Sequence, residues 1–227
     1  MIFSANALLP PPLPIGTAGV ILTCLEWWAF EGVTYLAGVL GVVPLASQAI
    51  VLSLSTILFS IPQGLAASTS ARVGNLLGAQ RPWEARAAAW TALFIAAGTS
   101  LTACVSLYIL RNPIAWAYSR DEEVARALET LIPIIALFQL GDGMNCVVTS
   151  VMQGAGKQAL TGWLNGLTYY LLALPLGIAL AFPLGLGLDG LWLGLVGGIS
   201  LLAIALLIRV HRMNWIRESE LCLRVEE

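Results

Sequence analysis

GVTYLAGVLGVVPLASQAIVLSLSTILFSIPQGLAASTSA, residues 32–71, contains no charged side chain. A helix that crosses about 30 Å of hydrocarbon needs roughly 20 predominantly apolar residues. This stretch therefore holds the end of one span, a turn at Gly41–Pro44, and a second complete span. Further charge-free runs cover 87–110, 158–188 and 190–208, and 130–156 is broken only by Asp142. Six spans follow, at about 17–42, 46–70, 88–110, 128–151, 160–183 and 189–209. In lipid the backbone must satisfy its own hydrogen bonds, so these runs are helices. A β-barrel would show short alternating strands instead.

Composition agrees. Of 227 residues, 58% are hydrophobic and 11% charged, and the mean hydropathy is +0.84. Soluble domains carry about 25% charged residues. A polytopic membrane protein in a lipid bilayer is the class that remains. With net charge −2 and no basic stripe, no nucleic acid is expected as a partner. Cys24, Cys104, Cys146 and Cys222 have no metal-ligand spacing and His211 is the single histidine, so no metal site is expected. No Walker loop and no nucleophile–histidine set can be traced. The expectation is a protein that is not an enzyme and binds no cofactor.

Loops follow from local chemistry. Arg81-Pro82-Trp83-Glu84 reads as a break and a helix start. Ser119 to Glu123 reads as a cap with an acidic first turn. Gly154-Ala155-Gly156-Lys157 reads as a tight turn, and Pro183–Gly190 as a short connection. Residues 1–16, rich in proline, form an extended lead-in, and 211–227 a cytoplasmic tail whose end, Glu218–Glu227, is mixed in charge and solvated. Counting Lys and Arg on alternate breaks gives eight on the side of Arg72, Arg81, Arg86, Lys157 and the tail, against three (Arg111, Arg120, Arg126) on the other. The excess marks the cytoplasmic side, which places both termini in the cytoplasm. The membrane itself, plasma or vacuolar, is left open.

Ionisable groups inside spans are the strongest functional signal. Glu26 and Glu31 lie each about 4 Å from the midplane of the first span at a rise of 1.5 Å per residue. Each costs roughly 2.5–3.5 kcal/mol at a helix centre. Set among Trp27, Trp28 and Phe30, such carboxyls hold a charge poorly and can be loaded with protons near neutral pH. The two are about 140° apart on the helix, so they do not share a narrow face. Asp142 lies in Gln139-Leu-Gly-Asp-Gly-Met-Asn145. Its flanking glycines admit a neighbouring helix. Gln139 and Asn145, at i−3 and i+3, offer hydrogen-bond partners. Asn165, Tyr169 and Tyr170 are candidates to line a cavity or to make interhelical hydrogen bonds. Tryptophans near span ends form an interfacial belt by default.

The residues also carry a resemblance. Glu26-Trp-Trp-Ala-Phe-Glu31, Arg72-Val-Gly74-Asn75-Leu-Leu-Gly78-Ala79 with Ala85-Arg86, Gln153-Gly-Ala-Gly-Lys-Gln158, Asn165 through Tyr169-Tyr170 to Leu174-Pro175-Leu-Gly177, and Gly190-Leu-Trp192-Leu-Gly194 together resemble the C-terminal half of eukaryotic multidrug and toxic compound extrusion (MATE) transporters. The resemblance covers about residues 20–210. It implies an all-α, six-helix lobe of a twelve-helix antiporter, with the N-terminal lobe missing. It implies export of organic cations, drugs or metabolites in exchange for protons, with sodium as the other coupling ion. Glu26 and Asp142 would carry the coupling, Glu31 being a second acid of the same helix. Arg72, Gly74, Asn75 and Gly78 would belong to a central cytoplasmic loop. A second lobe or another half-transporter is the implied partner. The alternative is a truncated, non-transporting membrane protein that acts through association.

Overall fold

The computed structural model describes residues 13–224, with side chains from residue 24 to 221 except residue 25. The helices are α1 (Leu13–Leu40), α2 (Val42–Gly78), α3 (Pro82–Ile109), α4 (Arg111–Tyr118), α5 (Glu122–Gly154), α6 (Gln158–Leu167), α7 (Leu174–Ala181), α8 (Gly187–His211) and α9 (Trp215–Arg224). A π-helical turn, Thr168–Ala173, joins α6 to α7 into one rod. Pro175 has no amide to donate, and its ring crowds the carbonyl four residues earlier. The widened turn falls on that place.

Five rods are long and apolar enough to cross a membrane: α2, α3, α5, α6–α7 and α8. α1 stands where the sequence predicts a first span at 17–42, but it is not among the five. The count of six is therefore not carried by the described residues. Of the predicted lead-in, residues 13–16 are helical, and residues 1–12 lie outside the described residues.

α5 is the central rod. It packs against α2, α3, α4, α6 and α8, and about half of its length is buried. The surface of the bundle carries large apolar side chains such as Ile57, Phe94, Leu137, Leu171 and Leu201. In water a patch of that extent would be a binding face, whereas around a membrane bundle it is the lipid boundary. One core cluster joins α1, α2, α5, α8 and the π turn. The other joins the far ends of α2, α3, α5 and α8 with Trp215 of α9.

The expected starts are in place. Pro82 opens α3, where a missing amide costs nothing. The Asp121 carboxylate accepts from the Glu123 and Val124 amides at 2.9 and 3.4 Å and caps α5, with Glu122 and Glu123 in the first turn. Gly156 takes φ +74° in the turn before α6, a left-handed conformation that suits glycine.

Three expectations change. The Arg72–Ala79 motif is not a loop, because α2 runs on to Gly78 and the connection shrinks to 79–81. Val73 and Leu77, four residues apart, are buried and keep that turn helical. Gly74 lies against Gly154, where an added Cβ would meet the Gly154 carbonyl at 3.4 Å. The tail is not wholly solvated either, since α9 docks with Trp215, Glu218 and Ser219 inward. Gln80 donates to the Ser219 carbonyl at 2.6 Å, Ser219 donates to the Leu77 carbonyl, and Lys157 pairs with Glu218. Finally, Trp192 and Trp215 are core residues, not part of an interfacial belt.

Candidate functional site

Along one face of α1 run Glu26, Phe30 and Thr34, four residues apart. That spacing stacks side chains on a helix. Phe30 meets three rings edge-on or tilted: Phe138 of α5 at 6.0 Å, Tyr169 of the π turn at 5.9 Å, and Trp192 of α8 at 6.4 Å. Phe138 and Trp192 stand T-shaped at 5.0 Å. Such edge-to-face pairs are the favoured aromatic geometry. These rings form an aromatic wall beside Glu26.

At the end of this wall the Tyr169 hydroxyl donates to the Glu26 carboxylate at 3.3 Å. Tyr169 is wholly buried. The π turn places it there, as an extra residue in a helix turns the following side chains to a new face. Asp142, on α5, is also buried and feels the charge of Glu26, as do Cys146 and Tyr169. The fold thus brings Glu26 and Asp142, 116 residues apart in sequence, into one acidic site. In a low-dielectric interior negative charges oppose each other strongly.

Glycines around Asp142 do what their positions suggest. A Cβ on Gly141 would come to 3.0 Å from the Ser200 hydroxyl of α8, and one on Gly143 to 2.2 Å from the Ser100 hydroxyl of α3. Both neighbours approach α5 closely on either side of the acid. Gln139 and Asn145 are buried, yet neither bonds to Asp142 among the described residues. Asn145 instead donates to the Asn165 side-chain oxygen of α6 at 3.4 Å. The Gln139 Oε1 and Asn145 Oδ1 acceptors have no protein partner. A buried polar oxygen without a partner is costly, so these two acceptors suit a donor that arrives from outside the chain.

Glu31 is not brought into this site. It is exposed, on the side of α1 that also carries Trp28 and Tyr35. Arg72 and Asn75 are exposed on α2, far along the rod from the acids. Sequence reading missed Gln48 altogether. It is uncharged, and a single amide in an apolar run carries no pattern. In the structure it is fully buried and bonded on two sides, accepting from the Trp192 indole at 2.8 Å and donating to Thr34 at 3.4 Å.

Comparison with known proteins decides the family. A sequence profile described as MatE matches residues 20–179. The chain belongs to the MatE family. It is 37% identical over 205 residues to multidrug and toxin extrusion protein 2 of Oryctolagus cuniculus, covering 90% of this chain and 34% of that protein. With the Homo sapiens protein of the same name the identity is 33% over 205 residues, again 90% of this chain and 34% of the relative. The crystal structure of the eukaryotic MATE transporter AtDTX14 superposes with a TM-score of 0.84 at 31% identity, covering 91% of this chain and 46% of that one. The Vibrio cholerae MATE transporter VcmN shares the fold at a TM-score of 0.77 and 19% identity. The chain thus spans a third to a half of the length of these relatives, and it is an integral membrane protein.

Proposed function

We propose that this MatE chain is the C-terminal lobe of an exporter that exchanges protons for a small organic cation. The observation that supports this most is the pair Glu26 and Asp142, two carboxyls from different helices inside an apolar bundle, the first of them bonded to Tyr169. Burial of such a pair without compensation is unfavourable, and a chain keeps it where charge is to be taken up and released. The names of the relatives, multidrug and toxin extrusion proteins, support export of drugs or toxins, and the two acids favour a cationic one.

The cycle needs only side chains of this site. With Glu26 and Asp142 ionised, the site attracts a cationic substrate. The unpartnered Gln139 and Asn145 oxygens can accept from its N–H or O–H groups. Tyr169 is occupied with Glu26. Protons from the outer side neutralise the carboxyls and remove the attraction, so substrate leaves. On the inner side the carboxyls release the protons. Exchange follows because proton and substrate favour different states of one site. In this reading α1 is the sixth span, both termini are cytoplasmic, and the plasma and vacuolar membranes both offer a suitable proton gradient.

The second reading, an association partner without transport of its own, also has an observation behind it. α2 carries an exposed polar stripe, Ser53, Thr56, Ser60 and Gln63, at helical spacing. Thr56 and Ser60 donate to the Leu52 and Ile57 carbonyls of their own helix at 2.8 and 2.7 Å, which leaves the Gln63 amide the poorest neighbour for lipid. A second lobe or another half-transporter would cover it.

The test is efflux of a fluorescent organic cation from membrane vesicles under a pH gradient, with sodium replaced by choline. Glu26→Gln and Asp142→Asn are each expected to abolish gradient-driven efflux while the protein still inserts. Efflux that keeps its rate and pH dependence in both variants overturns the coupling assignment. Efflux that requires sodium replaces proton by sodium.

A further inference from the structure

We infer that Gln48 is the positioning residue that fixes Glu26: through Thr34 and Trp192 it bolts α1 against α2 and α8. The inference rests on the reading of Glu26 as a proton carrier and adds to it the part that sets where that carboxyl points.

The hydrogen bonds allow one arrangement. An indole N–H can only donate, so the side facing Trp192 must be the Gln48 carbonyl oxygen, 2.8 Å away. Its NH2 then faces Thr34, which must accept, at 3.4 Å. The Thr34 hydroxyl can accept there because its own proton goes to the Phe30 carbonyl at 3.0 Å. Three groups on three helices are thus satisfied in a single direction, from Trp192 through Gln48 and Thr34 to the backbone of α1. Gln48 and Trp192 are both fully buried. A buried amide is retained at a desolvation cost, and here it specifies a rotation that apolar packing alone would leave loose.

The bolt acts on Glu26 through the helix. Glu26, Phe30 and Thr34 lie on one face, so Glu26 and Thr34 are about 12 Å apart along the axis at 1.5 Å per residue. Gln48 holds one end of that face, and Tyr169 holds the other at the carboxylate. Between them Phe30 sits against Phe138, Tyr169 and Trp192. If the Thr34 end turns, Glu26 turns with it relative to Tyr169 and Asp142. The groups that share the electrostatics of Glu26 are Asp142 and Cys146 of α5 and Tyr169 of the π turn. On the elements that carry the bolt, α1 contributes Cys24, Glu31 and Tyr35 besides Glu26, α2 only Arg72, and α8 Asp189, Arg209 and His211. Gln48 and Thr34 themselves do not titrate, so they change the proton affinity of Glu26 only by moving it.

The measurement is the pH titration of the Glu26 carboxyl by infrared difference spectroscopy on purified protein, the band being assigned by its loss in Glu26→Gln. Thr34→Val keeps the shape and removes the acceptor, and Gln48→Leu removes the bridge. Both are expected to displace the titration by about half a pH unit or more, about threefold in proton affinity. Thr34→Ser keeps the hydroxyl and is expected to titrate like the parent. If Gln48→Leu does not fold, Thr34→Val decides. A Thr34→Val protein that is folded and titrates like the parent overturns the inference and leaves the role of Glu26 standing. A parent protein whose Glu26 never titrates overturns the proton-carrier reading and this inference together.

Discussion

Tyr169 differs from phenylalanine by one oxygen, and that oxygen touches Glu26. A hydrogen bond to a charged group contributes roughly 1.5–3 kcal/mol. Tyr169→Phe is therefore expected to leave the bundle folded and to move the pH midpoint of efflux, without the complete loss expected of Glu26→Gln. An unchanged midpoint would separate Tyr169 from the coupling unit. Glu31 makes the contrasting case. It is exposed and outside the aromatic wall, so Glu31→Gln is expected to lower efflux by less than tenfold and to keep its pH midpoint. These placements were only partly legible in the sequence. An acid inside an apolar run is conspicuous because its burial is expensive. Which of two acids on one helix turns inward depends on where the neighbouring helices lie, and the charge pattern does not encode that.

Helix contacts set the next scale. The rod α6–α7 and α8 approach so closely that a Cβ at Gly194 would fall 2.3 Å from the Gly177 backbone and 2.7 Å from the Ala173 carbonyl. No side-chain rotation relieves a clash with backbone. Gly194→Ala is expected to destabilise the protein by about 1–3 kcal/mol or more, seen as a lower Tm in detergent, and to disturb the π turn that carries Tyr169. A variant with the parental Tm would show that the two rods separate freely. At the basic end of the bundle, α9 is held by Trp215, the Gln80–Ser219 bond and the Lys157–Glu218 pair. Trp215→Ala is expected to release it, read as faster cleavage of the tail in limited proteolysis with the spans intact. The five rods follow from apolar runs of spanning length. α9 does not, because ten residues of mixed charge look solvated until Trp215 joins the core at the ends of α2 and α3.

Over the whole molecule the surface divides into two kinds. Apolar side chains such as Phe94 and Leu201 face outward from α3 and α8, while α2 presents Ser53, Thr56, Ser60 and Gln63 beside the exposed Ile57 and Ile61. If that stripe lines water, Ser53→Cys and Ser60→Cys in a background with the four native cysteines replaced are expected to react with a water-soluble maleimide. Phe94→Cys is expected to stay unreactive in the bilayer. A second lobe supplied in trans is expected to slow labelling of the stripe. Equal reactivity of all three positions would remove the distinction between a lipid face and a polar face.

Hydropathy alone determined that this chain lives in a membrane and that it is helical, since a bilayer imposes length and backbone satisfaction on any sequence that crosses it. The isolated acids, and the motifs carrying the resemblance, already pointed to Glu26 and Asp142. Tertiary structure decided the rest: that Glu26 meets Tyr169 while Glu31 does not, that Gln48 bridges Trp192 and Thr34, and that the Arg72–Gly78 motif continues a helix. Those facts depend on the rotation and approach of whole helices. Packing fixes these through contacts between residues more than a hundred positions apart, which no local pattern records.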